Sequence, residues 1–272
     1  MTDLNETSRT ASVRGQHAIV TGGGHGIGRT IAARLARDGF NVTMMGRDAT
    51  RLDSTVRDLK ASFSDEARID VQAVVCDVAD PESVALAFSA AADALGEAHI
   101  LVNNAGVARS ISFVETSLEV WRRALDVNLT GPFLCIQQVL PSMLGAGSGR
   151  IVNIASTAAL RGFATLAAYS ASKHGLLGMT RSLAAEVAHN GITVNAICPG
   201  YVEGGMSDQA IQSLMIQRNM GAEEALAMLV CNSPHKRLTT QDEVAATVSR
   251  LCSVGASAIT GQAITVMTGE TM

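Results

Sequence analysis

A tyrosine and a lysine four positions apart are the residues of this chain whose types and spacing best suit chemistry. Tyr169 and Lys173 lie in the run YSASK, within a segment that has a helical pattern. Residues four apart project from the same helical face, so a phenol and an ammonium can point into one cleft. A nearby cation lowers the pKa of a phenol, which can then exchange a proton with an alcohol or a ketone. The same spacing is common on solvated helices, so the pair needs support from other positions.

A glycine-rich turn near the N-terminus is the second feature that suits chemistry. The apolar run from His17 to Val20 is followed by Gly22, Gly26 and Gly28 and then by a helical pattern. Glycine lets the backbone approach a pyrophosphate, and the N-terminus of the next helix attracts its charge. The spacing GxxxGxG differs from the GxGxxG of the standard dinucleotide fingerprint. A plain tight turn is the alternative for this loop.

The end of the second predicted strand indicates which dinucleotide binds. A carboxylate there would bind the ribose diol of NAD, whereas a guanidinium can grip the 2′-phosphate of NADP. Here Gly46 occupies the expected acidic position and Arg47 follows it. We therefore expect NADP, with a weak positive contribution from His25 in the glycine loop. Two alternatives stay open, namely Asp48 as the ribose ligand of NAD and Arg47 as an ordinary solvated arginine.

Strand and helix patterns alternate along the chain after a polar, aperiodic start. Short apolar runs predict strands near 17–20, 41–45, 71–76, 100–102, 150–154, 192–198 and 263–267. Helical segments lie between them, including long ones near 118–144 and 169–189 and others near 207–230 and 241–253. This alternation predicts an α/β fold, a Rossmann-type three-layer α/β/α sandwich with a mostly parallel, seven-stranded sheet. We expect residues 1–14 to form a flexible arm and residues 15–272 a single domain.

Composition excludes several functional classes. The chain has 272 residues, of which 47% are hydrophobic and 17% charged, as suits a folded domain with a sizeable core. A net charge of −4 gives no sign of nucleic-acid binding. No membrane span or N-terminal targeting signal is visible, so we expect a cytoplasmic protein. The five cysteines have no metal-binding spacing, and their apolar surroundings predict reduced, buried thiols.

Together these motifs resemble the classical short-chain dehydrogenase/reductase family. The resemblance runs from about residue 15 to the C-terminus. It is carried by TGGGHGIG at 21–28, NNAG at 103–106, Asn128, Ser156, YSASK at 169–173 and Pro199-Gly200. Ser156 precedes Tyr169 by thirteen residues, as in the family.

The resemblance implies catalytic roles for four residues. Tyr169 is the expected general acid in ketone reduction and the base in alcohol oxidation. Ser156 would hold and polarise the substrate carbonyl, while Lys173 would bind the nicotinamide ribose and lower the tyrosine pKa. Asn128 would hold a water that links the lysine to solvent. Plain structural alternatives exist, such as a helix cap for Ser156 and a helix kink at Asn128.

A set of cofactor-binding residues follows from the same resemblance. Ile27 would contact the pyrophosphate through its amide, Asp77 and Val78 would flank the adenine, and Asn104 would line the adenine-ribose side. As alternatives, Asp77 is a turn cap and Asn104 a turn former. The full expected set is Gly22, His25, Gly26, Ile27, Gly28, Arg47, Asp77, Val78, Asn104, Tyr169, Lys173, Pro199, Gly200 and Val202.

Two departures from the family pattern concern the nicotinamide end of the site. The family usually has a threonine a few residues after Pro-Gly, where this chain has Gly204 and Gly205. In the family this threonine contacts the amide of the nicotinamide, and here backbone groups or Ser207 would replace that contact. The glycines suggest a mobile loop. The usual Asp-Gly-Gly after the last strand is replaced here by TVMTGETM, so C-terminal contacts are not carried over.

Substrate specificity is expected from three segments, 109–114, 158–166 and a lid at about 202–230. The lid is rich in methionine, which suits an acyl-chain pocket but is more often core or interface. The motifs look closest to aromatic-polyketide ketoreductases and to 3-oxoacyl-thioester and 3-hydroxybutyrate enzymes. The first expectation is therefore interconversion of a 3-oxoacyl thioester and its 3-hydroxy form with NADP(H). Arg109 or Arg161 would meet a phosphate of the carrier, or be a solvated surface arginine.

Two other functions stay open. One is a dehydrogenase of a free ketone or secondary alcohol, such as a cyclic alcohol or hydroxysteroid. The other is a nucleotide-sensing protein without catalysis, against which the intact Asn-Ser-Tyr-Lys set argues. The family usually forms tetramers through the helices near 118–144 and 169–189, so the resemblance implies a homotetramer. No metal site is expected.

Overall fold

The computed structural model describes residues 15–63 and 69–269, and a sheet of seven parallel strands lies at its centre. The spatial order of the strands is β3-β2-β1-β4-β5-β6-β7, so the predicted seven-stranded parallel sheet is confirmed. The predicted arm at 1–14 lies outside the described residues. The strands are β1 (His17–Thr21), β2 (Asn41–Gly46), β3 (Val71–Val75), β4 (Ala98–Asn103), β5 (Gly149–Ile154), β6 (Ile192–Pro199) and β7 (Ala263–Val266).

Helices connect the strands and cover both faces of the sheet. Among the described residues, no helix is long and apolar enough to cross a membrane. The helices are α1 (Gly26–Arg37), α2 (Ala49–Ala61), α3 (Pro81–Leu95), α4 (Leu118–Leu125), α5 (Gly131–Ala146), α6 (Ala167–Val187), α7 (Met206–Arg218), α8 (Ala222–Leu229) and α9 (Gln241–Cys252).

Two hydrophobic cores, one on each face of the sheet, hold the three layers together. On one face Ile31 and Leu35 of α1 pack with Val244 and Val248 of α9 and with strand residues such as Val20. The opposite core holds apolar residues of α3, α5 and α6 together with β1, β4, β5 and β6. Apolar side chains on both faces of the central strands therefore force the strands to be covered on both sides. This arrangement confirms the predicted three-layer fold.

The strand order reverses between β1 and β4, which makes the carboxyl ends of these strands a natural binding crevice. β1 pairs with β2 on one side and with β4 on the other, and all three run parallel. In open α/β sheets, ligands bind outside the carboxyl ends of the strands where the order reverses. The glycine loop after β1 and the NNAG run after β4 both lie at this point.

Two predicted helices are interrupted in the structure. The segment predicted as one helix at 118–144 is split into α4 and α5 by a π-helical turn at Asp126–Thr130. The segment predicted near 207–230 is split into α7 and α8, because Asn219 adopts a left-handed conformation that ends α7. The first break holds Asn128, in agreement with the tendency of π-helical turns to occur at functional sites, and the second lies within the predicted lid.

A buried chain of side-chain hydrogen bonds ties α6 to the middle of the sheet. Asn103 of β4 donates to Asn153 of β5 at 2.9 Å, and Asn153 donates to Thr180 of α6 at 2.9 Å. The Thr180 hydroxyl donates in turn to the carbonyl of Leu176 at 2.7 Å. Buried polar groups that pair in this way allow one register only, because any slip leaves them unpaired. The chain therefore sets the position of the helix that carries Tyr169.

The cysteines follow the prediction with one exception. Cys76, Cys135, Cys198 and Cys252 are buried, whereas Cys231 is exposed in the turn after α8. Burial raises the pKa of the buried thiols, to about 11 for Cys76 and Cys198 and to about 12 for Cys252. The expectation that all five thiols are buried is therefore wrong for Cys231, because the polar turn around it is open to solvent.

Candidate active site

Tyr169 and Lys173 lie on the same face of α6, near its N-terminal end. The Lys173 side chain is only 4% exposed, and its Nζ donates to the carbonyl oxygen of Ile154, the last residue of β5, at 2.7 Å. The same Nζ lies 5.8 Å from the centre of the Tyr169 ring. The four-residue spacing therefore does bring the phenol and the ammonium to one place, at the carboxyl end of β5.

Ser156 meets Tyr169 from the other side of the cleft. It follows β5 in an extended conformation, and its Oγ accepts from the amide of Ala158 at 3.1 Å. Its hydroxyl also lies close enough to the Tyr169 side chain to lower the pKa of the phenol. The helix-cap interpretation of Ser156 is therefore correct, and its position beside the phenol is compatible with the catalytic role, which stays a prediction. The two hydroxyls thus share one cleft.

Asn128 is fully buried in the π-helical turn between α4 and α5. Its Oδ1 accepts from the amide of Val107 at 2.8 Å, and its Nδ2 donates to the Val107 carbonyl at 2.9 Å and to Ser172 at 2.9 Å. It therefore ties the segment after β4 to α6, next to Lys173. A Cβ on Gly106 would lie 3.3 Å from Asn128 Oδ1 and 3.6 Å from Lys173 Nζ. The water relay expected of Asn128 stays a prediction.

Burial controls the proton affinities of the tyrosine and the lysine. It raises the pKa of Tyr169, and the hydrogen bond from Ser156 offsets part of that increase. Burial also lowers the pKa of Lys173 to about 8. The net direction for the Tyr169 pKa is thus set by burial, and the expected lowering of the tyrosine pKa by Lys173 stays a prediction. The lysine directs its proton to Ile154, and desolvation of the phenolate outweighs any attraction between the two side chains.

The glycine loop after β1 is shaped by close backbone contacts. Gly22 and Gly26 have φ values of 67° and 53°, which favour glycine. A Cβ on Gly28 would lie 2.2 Å from the carbonyl oxygen of Gly22, so only glycine fits there. His25, at the N-cap of α1, is exposed and makes no side-chain cap, so within residues 15–63 and 69–269 no side chain caps the amides of the first turn, including that of Ile27. These free amides fit the pyrophosphate of a dinucleotide.

Asn104, just after the end of β4, holds the glycine loop in shape through hydrogen bonds to its backbone. Its Nδ2 donates to the carbonyl oxygens of Thr21 at 2.9 Å and Gly22 at 3.2 Å, and its backbone amide donates to Thr21 Oγ1 at 3.0 Å. The family-based expectation placed this residue along the adenine-ribose side. The structure adds that its amide group holds the loop in shape and fixes β1 against β4.

The region after β2 distinguishes the two candidates for binding the ribose. β2 ends at Gly46, and the following Arg47 is exposed, with no ion pair among the described residues. Asp48 instead caps α2 by accepting from the amide of Arg51 at 3.1 Å. Its second oxygen pairs with the Arg51 guanidinium at 3.0 Å. The carboxylate is therefore engaged locally, while the Arg47 guanidinium is available to a ligand.

Asp77 and Val78 follow β3 at the same edge of the sheet. The Asp77 carboxylate accepts from the amide of Ala79 at 3.0 Å and lies 3.7 Å from the Arg123 guanidinium. Val78 is buried and lies against Gly131, where a Cβ would be only 3.0 Å from it. The turn-cap interpretation of Asp77 is thus correct, and the expected contact of Asp77 and Val78 with the adenine stays a prediction.

Residues 199–202 form the entry to the lid. Pro199 ends β6, and the amide of Gly200 donates to Val266 of β7 at 3.1 Å. Val202 is buried and forms a parallel bridge with Thr239. This part of the chain is thus hydrogen-bonded to β7 and to the segment around Thr239. Gly204 and Gly205 follow after Glu203.

Thr165 joins two of the segments expected to set specificity, and nothing in its sequence context predicted this. It adopts a φ of 64°, which is rare for a β-branched residue. Its carbonyl accepts from the amide of Ile111 at 2.8 Å, and its hydroxyl lies 2.7 Å from that of Ser110. The 109–114 and 158–166 segments are thus one wall of the cleft. Beside it, the Arg161 guanidinium stacks 4.8 Å over the ring of Phe163.

The fold and these side chains define a nucleotide-dependent oxidoreductase. The model of the short chain dehydrogenase family matches residues 16–214, and this chain belongs to that family. Its members use NAD or NADP and act on keto or hydroxyl groups, and the present protein is an oxidoreductase of this kind.

Several reductases are similar to this chain in sequence. A Streptomyces violaceoruber protein named as ketoacyl reductase 1 of the granaticin polyketide synthase is 40% identical over 93% of this chain and 92% of its own length. The 3-oxoacyl-[acyl-carrier-protein] reductase of Staphylococcus aureus is 34% identical over 94% of this chain and 98% of its own length. A crystal structure of an actinorhodin polyketide ketoreductase variant with NADPH superposes on this chain with a TM-score of 0.88. The two sequences are 38% identical, and the match covers 93% of this chain and 96% of that one.

Replacing Gly28 with alanine is predicted to damage the glycine loop. The new methyl group would lie 2.2 Å from the Gly22 carbonyl oxygen, so the loop must move. We expect NADPH affinity to fall at least about tenfold and the free energy of unfolding to fall by about 1–3 kcal/mol. Isothermal titration and urea denaturation measure both. Gly145→Ala, where the methyl group meets nothing within 4 Å, is the matched control. Unchanged affinity in Gly28→Ala would contradict the assignment of this loop.

The buried lysine predicts a pH-dependent stability. The pKa of Lys173 is about 8 in the folded protein against 10.5 for the free side chain, so the unfolded chain binds more protons between these values. The free energy of unfolding of the cofactor-free protein should therefore rise with pH across this window, relative to Lys173→Met. Urea denaturation at pH 7, 8, 9 and 10 measures the difference. Lys60→Met, at an exposed lysine of α2, should show no such trend. A flat difference for Lys173→Met would refute the burial effect.

Proposed function

We propose that this protein reduces the ketone of a 3-oxoacyl thioester with NADPH and that Tyr169 is the general acid. The observation that carries the proposal is the shared cleft of the Tyr169 and Ser156 hydroxyls, with Lys173 buried directly beneath. The raised pKa of Tyr169 keeps the phenol protonated near neutral pH, which suits a residue that donates a proton to a developing alkoxide.

The chain's own residues divide the reaction between them. When bound, reduced nicotinamide supplies the hydride to the carbonyl carbon. Ser156 holds and polarises the carbonyl oxygen with its hydroxyl hydrogen, since its Oγ lone pair already accepts from Ala158. Tyr169 gives its phenolic proton to the same oxygen, which becomes the alcohol. Lys173, whose pKa of about 8 leaves it mostly charged at neutral pH, stabilises the resulting phenolate until a solvent proton restores the phenol.

NADP is the proposed cofactor because of the groups that follow β2. Gly46 leaves room for a 2′-phosphate, and the exposed Arg47 offers a guanidinium that can bind it in bidentate fashion. Asp48 is held by α2 and Arg51, so it is a poor ligand for the ribose diol. The similar actinorhodin ketoreductase structure contains NADPH, which supports the same choice.

The proposal of a thioester substrate is supported by the names of similar proteins and by the composition of the lid. Two of the similar proteins are named for ketoacyl or 3-oxoacyl-carrier substrates. The lid carries Met206, Met215, Met220 and Met228, and these flexible side chains can line an acyl-chain pocket.

Oxidation of a free hydroxy compound is the second candidate. A D-beta-hydroxybutyrate dehydrogenase of Rhizobium meliloti is 36% identical over 93% of this chain and 98% of its own length. The name of that relative gives a free hydroxy acid as its substrate, and this supports the second candidate.

A homotetramer is also proposed. Three apolar side chains on α4 and α5 are substantially exposed, namely Leu118, Phe133 and Leu144. Assembly through these helices and α6 would cover them. Light scattering of the purified protein measures the mass directly.

Tyr169→Phe tests the proposed chemistry. Loss of the phenolic proton donor should lower kcat for acetoacetyl-CoA by about 100-fold or more, while NADPH affinity stays within about threefold. The spectrophotometric loss of NADPH measures the rate, and thermal denaturation confirms that the variant is folded. A panel of acetoacetyl-CoA, free acetoacetate and cyclohexanone identifies the substrate class. Turnover of the free ketones without the thioester would refute the thioester proposal, and full activity of Tyr169→Phe would refute the role of the tyrosine.

Arg47→Ala tests the cofactor choice. Removing the guanidinium should raise the KM for NADPH at least about tenfold and leave that for NADH almost unchanged, because only NADPH carries the 2′-phosphate. Steady-state kinetics with both cofactors measure this difference. Arg57→Ala, which removes an exposed arginine from the outer part of α2, is the control for loss of positive charge. Equal effects on the two cofactors in Arg47→Ala would contradict the assignment.

A further inference from the structure

Gln241, the first residue of α9, lies between the glycine-loop helix α1 and the entry to the lid. The start of α9 is rigid, because Thr240 and Glu243 form a reciprocal capping box. Arg237 makes two hydrogen bonds to Glu243, at 2.9 and 2.7 Å, and they lower the pKa of Glu243 to about 2. This fixed helix end holds the Gln241 side chain in one place.

The two halves of the Gln241 amide bind two different elements. Its Oε1 accepts from the Thr30 hydroxyl of α1 at 2.8 Å. Its Nε2 donates to the carbonyl oxygen of Glu203 at 3.0 Å. A carboxamide carries an acceptor and a donor, so glutamine can bridge a hydroxyl and a carbonyl, whereas a glutamate carboxylate accepts only.

Glu203 precedes the glycine pair of the lid, and both of its backbone groups are hydrogen-bonded. Its amide donates to Thr239 at 2.9 Å, and its carbonyl is held by Gln241. Gly204 and Gly205 then have φ values of 85° and 49°, and α7 begins at Met206. A Cβ on Gly204 would lie 3.1 Å from Nε2 of Gln241, so the amide rests directly against this pair of glycines. The glycine pair can act as a hinge, and Gln241 holds its fixed side.

Thr30 connects the same bridge to the glycine loop. Its hydroxyl lies 3.3 Å from the carbonyl oxygen of Gly26, the first residue of α1, and 2.8 Å from Gln241. A single hydroxyl hydrogen serves these two acceptors, so the geometry of the first turn of α1 decides how firmly Thr30 holds Gln241. Anything that orders this turn therefore also orders the base of the hinge.

We propose that Gln241 is a positioning residue that couples dinucleotide binding at the N-terminus of α1 to ordering of the lid. Phosphates bound to the first turn of α1 fix Thr30, Thr30 fixes Gln241, and Gln241 fixes the Glu203 carbonyl at the hinge. The lid then closes on the substrate from a stationary base, so the dinucleotide prepares the substrate site. The inference rests on the dinucleotide binding of the proposed function and not on the identity of the ketone.

Hydrogen exchange of the lid amides at 206–229, measured by mass spectrometry with and without saturating NADP or NAD, tests this coupling. In the wild-type protein we expect the dinucleotide to slow exchange of these amides at least about threefold. Gln241→Glu keeps the acceptor for Thr30 but loses the donor to Glu203, so this protection should disappear. Thr30→Val should have the same effect. Gln137→Glu, the same change at an exposed position of α5, should keep the full protection.

Kinetics provide the second measurement. Loss of one hydrogen bond of about 1 kcal/mol should raise the KM for the ketone about fivefold in Gln241→Glu, with kcat within about twofold and dinucleotide affinity within about threefold. The double variant Thr30→Val with Gln241→Glu should be no worse than either single variant, because the two residues act through one bridge.

Three outcomes would overturn the proposal. They are dinucleotide-induced protection that persists in Gln241→Glu, absence of any such protection in the wild-type protein, and additive effects in the double variant. A protein that reduces no ketone in the panel would refute the proposed reaction, yet the exchange measurement would still decide the coupling, since it needs the dinucleotide alone.

Discussion

The active site depends on one buried charge, the ammonium of Lys173. Removing an ammonium from water costs several kcal/mol unless polar groups replace the lost hydration. Here the carbonyl oxygen of Ile154, at the end of β5, accepts one of its protons at 2.7 Å. A backbone carbonyl is free to accept from a side chain where a strand ends and the hydrogen bonds of the sheet stop. The helix α6 must therefore pass the end of β5 for Lys173 to reach this carbonyl. The phenol of Tyr169 and the hydroxyl of Ser156 are positioned by the same requirement.

Buried and half-buried amide side chains do most of the remaining positioning. Asn128 binds both backbone groups of Val107, Asn104 holds the glycine loop, and Asn153 links β4 to α6. An amide offers donors and an acceptor at fixed angles, so each can join two strands or loops without placing a charge in the interior. The reacting groups therefore rest on a frame of paired, largely buried polar groups. Such preorganisation lets fixed dipoles act without rearranging during the reaction.

Much of this arrangement was predictable from local patterns, and the rest depended on contacts that are distant in the chain. Alternating strand and helix signals predicted all seven strands within about three residues, because burial on both faces demands apolar runs. The four-residue spacing of Tyr169 and Lys173 predicted their shared face. The left-handed conformation of Thr165, the π-helical turn around Asn128 and the Thr30–Gln241 bridge could not be foreseen, since each is imposed by partners tens to hundreds of residues away. The burial that raises the pKa of Tyr169 could not be foreseen for the same reason, because it depends on the three-dimensional packing around the phenol.

The distribution of the cysteines has a practical consequence for following this enzyme at work. Four thiols are sealed in the interior, whereas Cys231 is open to solvent just after α8, at the far end of the lid. A maleimide dye added to the native protein should attach at that one position without prior mutagenesis. The unaltered chain thus carries a built-in attachment point for a fluorescent reporter, which would make opening and closing of the cleft visible in stopped-flow or single-molecule recordings.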